Sequence, residues 1–180
     1  RRTQDELLAE LIRRHTDTAF GRDHGFAKVR SYEDFASAVP VENYERLRPY
    51  VERVLAGETD ALLPPGEPVL MFSMTSGTTG TPQFIPVTRR FLHEIRRGWN
   101  VLGLIELNDH PDAWLTSVLR VASRMDEQTS LTGLPCGAIS GLIAKAQMRI
   151  VRRMYACPQQ ATSISDPTAK YYTIMRCGAM

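Results

Sequence analysis

At 180 residues, with 43% hydrophobic and 23% charged content, the chain has the length and composition of one ordinary globular domain with a buried core. A net charge of +2 leaves no electrostatic footprint for nucleic acid, and no window approaches the ~20 apolar residues of a membrane span, so neither partner is expected. Cys136, Cys157 and Cys177 are widely spaced and odd in number, and no apolar leader follows Arg1-Arg2-Thr3-Gln4-Asp5, which points to a reducing, cytoplasmic setting.

The chain does not open on Met, so preceding residues are expected to be missing or processed. Residues 3–16 carry helical periodicity, with Thr3 and Glu6 at capping-box spacing and Leu7, Leu8, Leu11, Ile12 and His15 on one face. His15 sits at the edge of that stripe and reads as structural. Gly21 to Gly25 reads as a loop. Ser31 with Asp34 opens a second helix bearing Tyr32, Phe35 and Val39, which Pro40 ends. From Val41 to Ala56 the pattern is again helical, with Tyr44, Leu47, Val51, Val54 and Leu55 inward. Pro49 is expected to split this stretch in two, and Gly57 to end it. The charged residues here form a solvated face, so residues 1–63 read as a helical layer without chemistry of its own.

Pro64-Pro65-Gly66-Glu67-Pro68 is a linker into a strand at Val69–Met74, whose apolar run barely alternates and so should be buried on both faces. A second strand follows at Phe84–Val87, where Pro86 marks an edge or a bulge. The two can form a hairpin with Thr75-Ser76-Gly77-Thr78-Thr79-Gly80-Thr81-Pro82 at its tip. In that loop Gly77 and Gly80 permit positive φ, successive amides can converge on an anion, and Ser76, Thr78 and Thr79 add neutral donors. The competing reading is a solvated turn. The loop is neither a Walker A motif, which needs Gly-Lys-Ser/Thr, nor a Gly-x-Gly-x-x-Gly fingerprint.

Thr88 caps a helix predicted from Arg89 to about Leu107, with Phe91, Ile95, Leu102 and Ile105 apolar. Arg89 and Arg90 oppose the helix dipole there. They read either as part of a solvated basic face with Arg96 and Arg97, or as groups reaching back to an anion at the loop. Ala113–Leu119 reads as a second central strand, and 120–132 as a loop. Gly133-Leu134-Pro135-Cys136-Gly137 is a turn into Ala138–Ile143. Cys136 as a nucleophile lacks a base nearby in sequence. Arg149, Arg152 and Arg153 read as surface. Ser165-Asp166-Pro167 starts a last helix, with Tyr171, Ile174 and Met175 on one side and Gly178 at its end.

Thr75–Pro82 resembles the phosphate loop of adenylate-forming enzymes, where a Ser/Thr-Ser-Gly-Thr-Thr-Gly-x-Pro-Lys pattern holds the phosphates of ATP. The continuation Phe84-Ile85-Pro86-x-Thr88 narrows the match. So do Thr18-Ala19-Phe20-Gly21-Arg22, Val39-Pro40-Val41-x-x-Tyr44, Pro49-Tyr50-Val51 and Gly133–Gly141. Together they are similar to the acyl-acid amido synthetases of the auxin-responsive Gretchen Hagen 3 family in their bacterial form. Gln83 stands where the common pattern has lysine. Family members are much longer, and their acyl-site loop, ribose-binding aspartate and mobile C-terminal domain have no counterpart before Met180. The chain therefore reads as an N-terminal piece.

The resemblance implies an α/β architecture, the N-terminal portion of an adenylate-forming fold. A helical layer (1–63) would be followed by a partial α/β nucleotide-binding domain (64–180) with the phosphate loop and covering helices. It implies ATP-dependent adenylation of a carboxylic acid, then amide formation with an amine or amino acid. ATP and Mg²⁺ would serve, and the piece alone would be inactive. Thr75, Ser76, Gly77, Thr78, Thr79 and Gly80 would contact the ATP phosphates. Cys136, Gly137 and Ser140 would wall an acyl pocket, or else form a helix-opening turn packed in the core. No side chain is assigned to a metal. Two alternatives stay open: a truncated, non-catalytic packing or interaction module, and a ligase that passes the acyl group to coenzyme A.

Overall fold

Met71 and Phe72 are neighbours on strand β1 (Val69–Met74) and both are fully buried, so they cover opposite faces of the sheet. Phe72 packs with Val54, Ala61 and Cys136, whereas Met71 packs with Val87 and Leu142. The non-alternating sequence of β1 follows from this two-sided burial. The computed structural model describes residues 2–75 and 80–179.

Among the described residues the sheet has four strands in the order β2-β1-β4-β3. Strand β2 (Phe84–Thr88) is antiparallel to β1, with Pro86 opposite Phe72. It lies at the margin, where a residue without an amide hydrogen is tolerated. On the other side, β4 (Pro135–Gly137) runs parallel to β1, with Phe72 opposite Cys136 and Ser73 opposite Gly137. Strand β3 (Gln128–Thr129) completes the sheet antiparallel to β4.

Among the described residues four α-helices precede the sheet: α1 (Arg2–His15), α2 (Ala19–Asp23), α3 (Tyr32–Ala38) and α4 (Tyr44–Leu55). Ile12, Phe26 and Val29 form a separate small core beneath them, with Leu8, Phe20 and Phe35 packed against it. Helix α1 already begins at Arg2, so Thr3 lies inside it and does not cap it. The capping box of Ser31 and Asp34 is present, with both reciprocal bonds made. His15 is bonded through Nδ1 to the Leu11 carbonyl at 2.8 Å, a structural role.

Two expectations about α4 are corrected. It begins only after Asn43, whose side chain accepts the Glu45 N–H, and it runs unbroken through Pro49. Proline withholds one hydrogen bond, the one that would reach the Glu45 carbonyl. Val51 and Val54, each 1% exposed, hold the helix against the core across that gap. The helix ends in a Schellman motif. Gly57 has φ 103°, its N–H donates to the Val54 carbonyl at 3.0 Å, and the Glu58 N–H donates to the Arg53 carbonyl at 2.9 Å.

After β2, the Thr88 hydroxyl accepts the Phe91 N–H and caps α5 (Arg89–Asp109). Residues 113–119 are not a central strand. Pro111–Leu115 is a 3-10 turn, and Val118 makes one isolated bridge to Tyr155. The place beside β1 that such a strand would take is occupied by β4. Helices α6 (Ile139–Ala146), α7 (Arg149–Arg152) and α8 (Pro167–Gly178) follow. Asp166 caps α8, accepting the Ala169 N–H at 2.7 Å. Its inward side is Lys170 and Ile174, while Tyr171 and Met175 face outward at 45% and 61% exposure. A lysine can take an inward position because its apolar stem packs and its ammonium lies over the Tyr171 ring, 4.9 Å from the centroid.

Candidate functional site

The hydroxyl- and glycine-rich loop leaves β1 at Thr75 and rejoins the sheet at Gln83. These two residues close its base reciprocally: the Thr75 N–H donates to the Gln83 carbonyl at 3.1 Å, and the Gln83 N–H donates to Thr75 Oγ1 at 3.1 Å. Both Thr75 and Gly80 are exposed, and Gly80 has φ 139°, a conformation that side-chain-bearing residues rarely adopt. Ser76, Gly77, Thr78 and Thr79 lie outside the described residues. The next residue, Phe84, is held from the helical layer, because both its backbone N–H and its carbonyl bond the Tyr44 hydroxyl at 2.9 Å.

The helical layer also grips the hairpin's two ends. Arg14 pairs with Glu67 at 2.6 Å, just ahead of β1, and Arg90 pairs with Glu10 at 2.7 Å, just after β2. Arg90 therefore ties α5 to α1, while Arg89 is exposed. The backbone of Gln83 closes the loop, but its side chain offers no cation, so the rim has dipoles where the common pattern has charge.

Because β1 and β4 are parallel, their carboxyl ends lie on one side of the sheet. The loop starts at the end of β1, and α6 starts at the end of β4, with Ala138 alone between Gly137 and its first residue Ile139. Ligands in open α/β sheets bind outside strand carboxyl ends, and this is where the loop lies.

Cys136, Gly137 and Ser140 meet at that β4–α6 junction. Cys136 is 1% exposed within the core beside Phe72, and burial pushes its thiol above the usual value, which disfavours a thiolate nucleophile. Residues 123–125 press on the other side of the junction. The Ala138 N–H donates to the Arg124 carbonyl at 2.7 Å, and Ser140 Oγ accepts the Ser123 N–H at 3.2 Å. A Cβ on Gly137 would lie 2.6 Å from the Met125 carbonyl carbon, and one on Gly141 would lie 2.6 Å from the Ser123 oxygen. Arg120 completes the packing, donating to the Ser140 carbonyl at 3.0 Å with its guanidinium over the Tyr155 ring. Arg120 carries no signal in the sequence, whereas Tyr44 reads there as an inward-facing residue and also belongs to a family-like stretch. The spacing of Val39-Pro40-Val41-x-x-Tyr44 was the signal that singled Tyr44 out.

Among the described residues no group of three or more His, Cys, Asp or Glu side chains is placed to hold a metal ion. None of the described helices is long and apolar enough to cross a membrane.

The fold is that of the N-terminal part of an adenylate-forming enzyme. It superimposes on a solved GH3.15 acyl acid amido synthetase with a TM-score of 0.77 at 25% identity, covering 99% of this chain and 31% of that one. The chain belongs to the GH3 family, since residues 1–180 match the family's N-terminal domain model throughout. Its relatives are acyl acid amido synthetases. One is the probable indole-3-acetic acid-amido synthetase GH3.1 of Arabidopsis thaliana, 24% identical over 183 residues, which are 98% of this chain and 31% of the relative. Another is the jasmonoyl-L-amino acid synthetase GH3.5 of Oryza sativa subsp. japonica, 28% identical over 92 residues, which are 51% of this chain and 16% of the relative. The chain thus spans about a third of the length of curated relatives that it matches end to end.

Proposed function

We propose that this chain is the phosphate-holding part of an ATP-dependent acyl acid amido synthetase. The observation that carries the reading is the loop closed by Thr75 and Gln83, set at the carboxyl ends of parallel strands in a chain of the GH3 family. In the reaction a substrate carboxylate attacks the α-phosphorus of ATP and pyrophosphate leaves. The amine of an amino acid then attacks the acyl carbon, giving the amide and AMP. The acid is of the acyl class named for the relatives, such as indole-3-acetic or jasmonic acid.

In this proposal Thr75, Ser76, Gly77, Thr78, Thr79 and Gly80 hold the β- and γ-phosphates through amides and hydroxyls. They orient the α-phosphorus and stabilise the departing pyrophosphate. The neutral donor set fits a phosphate, whereas the described residues offer no carboxylate cluster for a cation. Mg²⁺ would accordingly be carried in by the phosphates and neutralise them. Cys136, Gly137 and Ser140 form the wall behind the acyl site through the β4–α6 backbone. Residues 1–63 act as a buttress and 64–180 as the nucleotide-binding part. With about a third of a relative's length, the chain does not complete the reaction alone.

The test is a chimaera in which residues 1–180 replace the matching part of a GH3.15 acyl acid amido synthetase. Carboxylate-dependent exchange of pyrophosphate into ATP is expected. It should fall on the order of a hundredfold or more when Ser76, Thr78 and Thr79 are all changed to Ala. Exchange unaffected by the triple change would refute the phosphate role and leave a packing module. Measurable exchange by residues 1–180 alone would refute the dependence on the remainder.

A further inference from the structure

Two of the three cysteines meet in a part of the molecule that the proposed reaction does not use. Cys157, 8% exposed, lies in a small cluster with Ala161 and Ile174, and Cys177 on α8 packs against the same cluster. Both are free thiols on that one cluster; Cys157 Sγ donates to the Pro158 carbonyl at 3.8 Å, and the neighbouring Cys177 helps to hold the Cys157 thiol above its ordinary value. Cys177 follows Ile174 by three residues, which places the two on one face of the helix. Cys136 belongs to a different cluster around Phe72.

A cavity of about 230 Å³ opens onto Cys157, lined also by Arg120, Arg152, Tyr155, Gln159 and Thr162. Cys177 is not part of its lining, so the cavity borders the resolving thiol and not the attacking one.

We propose that Cys157 and Cys177 are a reversible oxidation site, closing to an intramolecular disulfide that ties the segment after Tyr155 to α8. The oxidant is a small-molecule disulfide of the glutathione type, which meets Cys177 from solvent. Cys177, half-buried and the more exposed of the two, attacks one sulfur as its thiolate. A Cys177–glutathione bond forms, the glutathione S–S bond breaks, and one glutathione thiol leaves. Cys157 then attacks Cys177 Sγ, expelling the second glutathione. Two protein thiols are oxidised, one small disulfide is reduced, and the two protons end on the two glutathione thiols. Cys157, the more buried of the two, serves as the resolving group, and burial first, then Cys177, holds its thiol above the usual value.

The test uses the unaltered 180-residue chain with oxidised glutathione at mildly alkaline pH, quenched with N-ethylmaleimide in denaturant. Mass spectrometry should find a product about 2 Da lighter than the reduced chain, fully reversed by dithiothreitol. Alkylatable thiols should fall from three to one. Non-reducing peptide maps should join the Cys157 and Cys177 peptides, leaving Cys136 as the alkylated residue. Three results would each overturn the proposal: a glutathione adduct on Cys177 that persists without a cross-link, a bond that includes Cys136, or three unreacted thiols. A Cys136→Ser chain serves as the second measurement, because it should still form the same cross-link.

Discussion

Tyr44 makes both of its hydroxyl hydrogen bonds to one residue: it donates to the Phe84 carbonyl and accepts the Phe84 N–H, each at 2.9 Å. Phe84 is the first residue of β2 and follows directly on the Gln83 that closes the loop. In an antiparallel ladder alternate residues of the outer strand aim both backbone groups away from the sheet, and Phe84 is such a residue. One side chain from α4 therefore satisfies an outward pair that would otherwise need water. Tyr44→Phe should destabilise the fold by about 1–2 kcal/mol, because both bonds go and the groups remain part-buried. Urea unfolding measures the loss. Amide exchange at Phe84 and Gln83 should accelerate more than at Met71, and uniform acceleration would show that Tyr44 holds the whole sheet and not the loop's base.

Two glycine-to-alanine changes should move stability in opposite directions. At Gly141 the added carbon meets backbone at 2.6 and 2.7 Å, on segments fixed by their own hydrogen bonds. Gly141→Ala should cost roughly 1–3 kcal/mol or more through overpacking. At Gly98, inside α5, nothing lies within 4 Å of the new carbon, so Gly98→Ala should stabilise by up to about 1 kcal/mol. Thermal unfolding of both variants checks the pair, and equal effects would contradict the close approach of residues 123–125 to α6.

The capping box of α3 predicts a pH dependence. Asp34 accepts the Arg30 and Ser31 amides, and these bonds, that of Arg30 foremost, hold its carboxyl below the ordinary aspartate value. A depressed folded pKa stabilises above the unfolded value and ceases to do so as pH falls through the folded one. The stability gap between the wild-type chain and Asp34→Asn should thus be full at neutral pH and close as pH falls from the unfolded value of about 4 downward. Urea titrations across that range test it, and a gap that widens on acidification would contradict the assignment. Ser31→Ala, which removes the other half of the box, should cost about 1 kcal/mol at all pH values.

Gln83 offers a gain-of-function prediction. In the GH3.15 chimaera, Gln83→Lys would put a cation beside the loop while leaving the backbone bonds to Thr75 untouched. A charge-assisted phosphate contact of about 1 kcal/mol corresponds to roughly a fivefold lower KM for ATP. An unchanged KM, together with unchanged pyrophosphate exchange, would argue that residue 83 does not face the phosphates.

Local chemistry made much of this fold readable. The run Val69–Met74 announced a strand buried on both sides, Pro86 placed its partner at a margin, and Ser31, Thr88 and Asp166 announced three helix starts. What was illegible depended on distant parts of the chain. Pro135-Cys136-Gly137 has no strand propensity, yet it pairs with β1 because the glycine admits the Arg124–Met125 backbone and the cysteine fills the space beside Phe72. Ala113–Leu119 has strand composition, but β4 occupies the central place beside β1, and among the described residues the segment makes the isolated bridge from Val118 to Tyr155. Pro49 looked like a break because sequence does not weigh one missing bond against two buried valines. The glycines and hydroxyls of Thr75–Gly80 mark a phosphate-type turn in the sequence, and of these residues Thr75 and Gly80 lie within the described part. The loop's bracing by Tyr44 joins residues 40 positions apart, beyond the reach of periodicity.

The sheet's two margins carry a last consequence. An open margin invites strand addition from another molecule, and runaway addition is how sheets aggregate. On one margin Pro86 withholds a donor, the ladder slips between Val69 and Met71, and a tyrosine occupies the outward groups of Phe84. On the other, β3 offers only two residues. Among the described residues neither margin presents a long regular run for a foreign strand to copy, the arrangement by which a sheet edge resists strand addition.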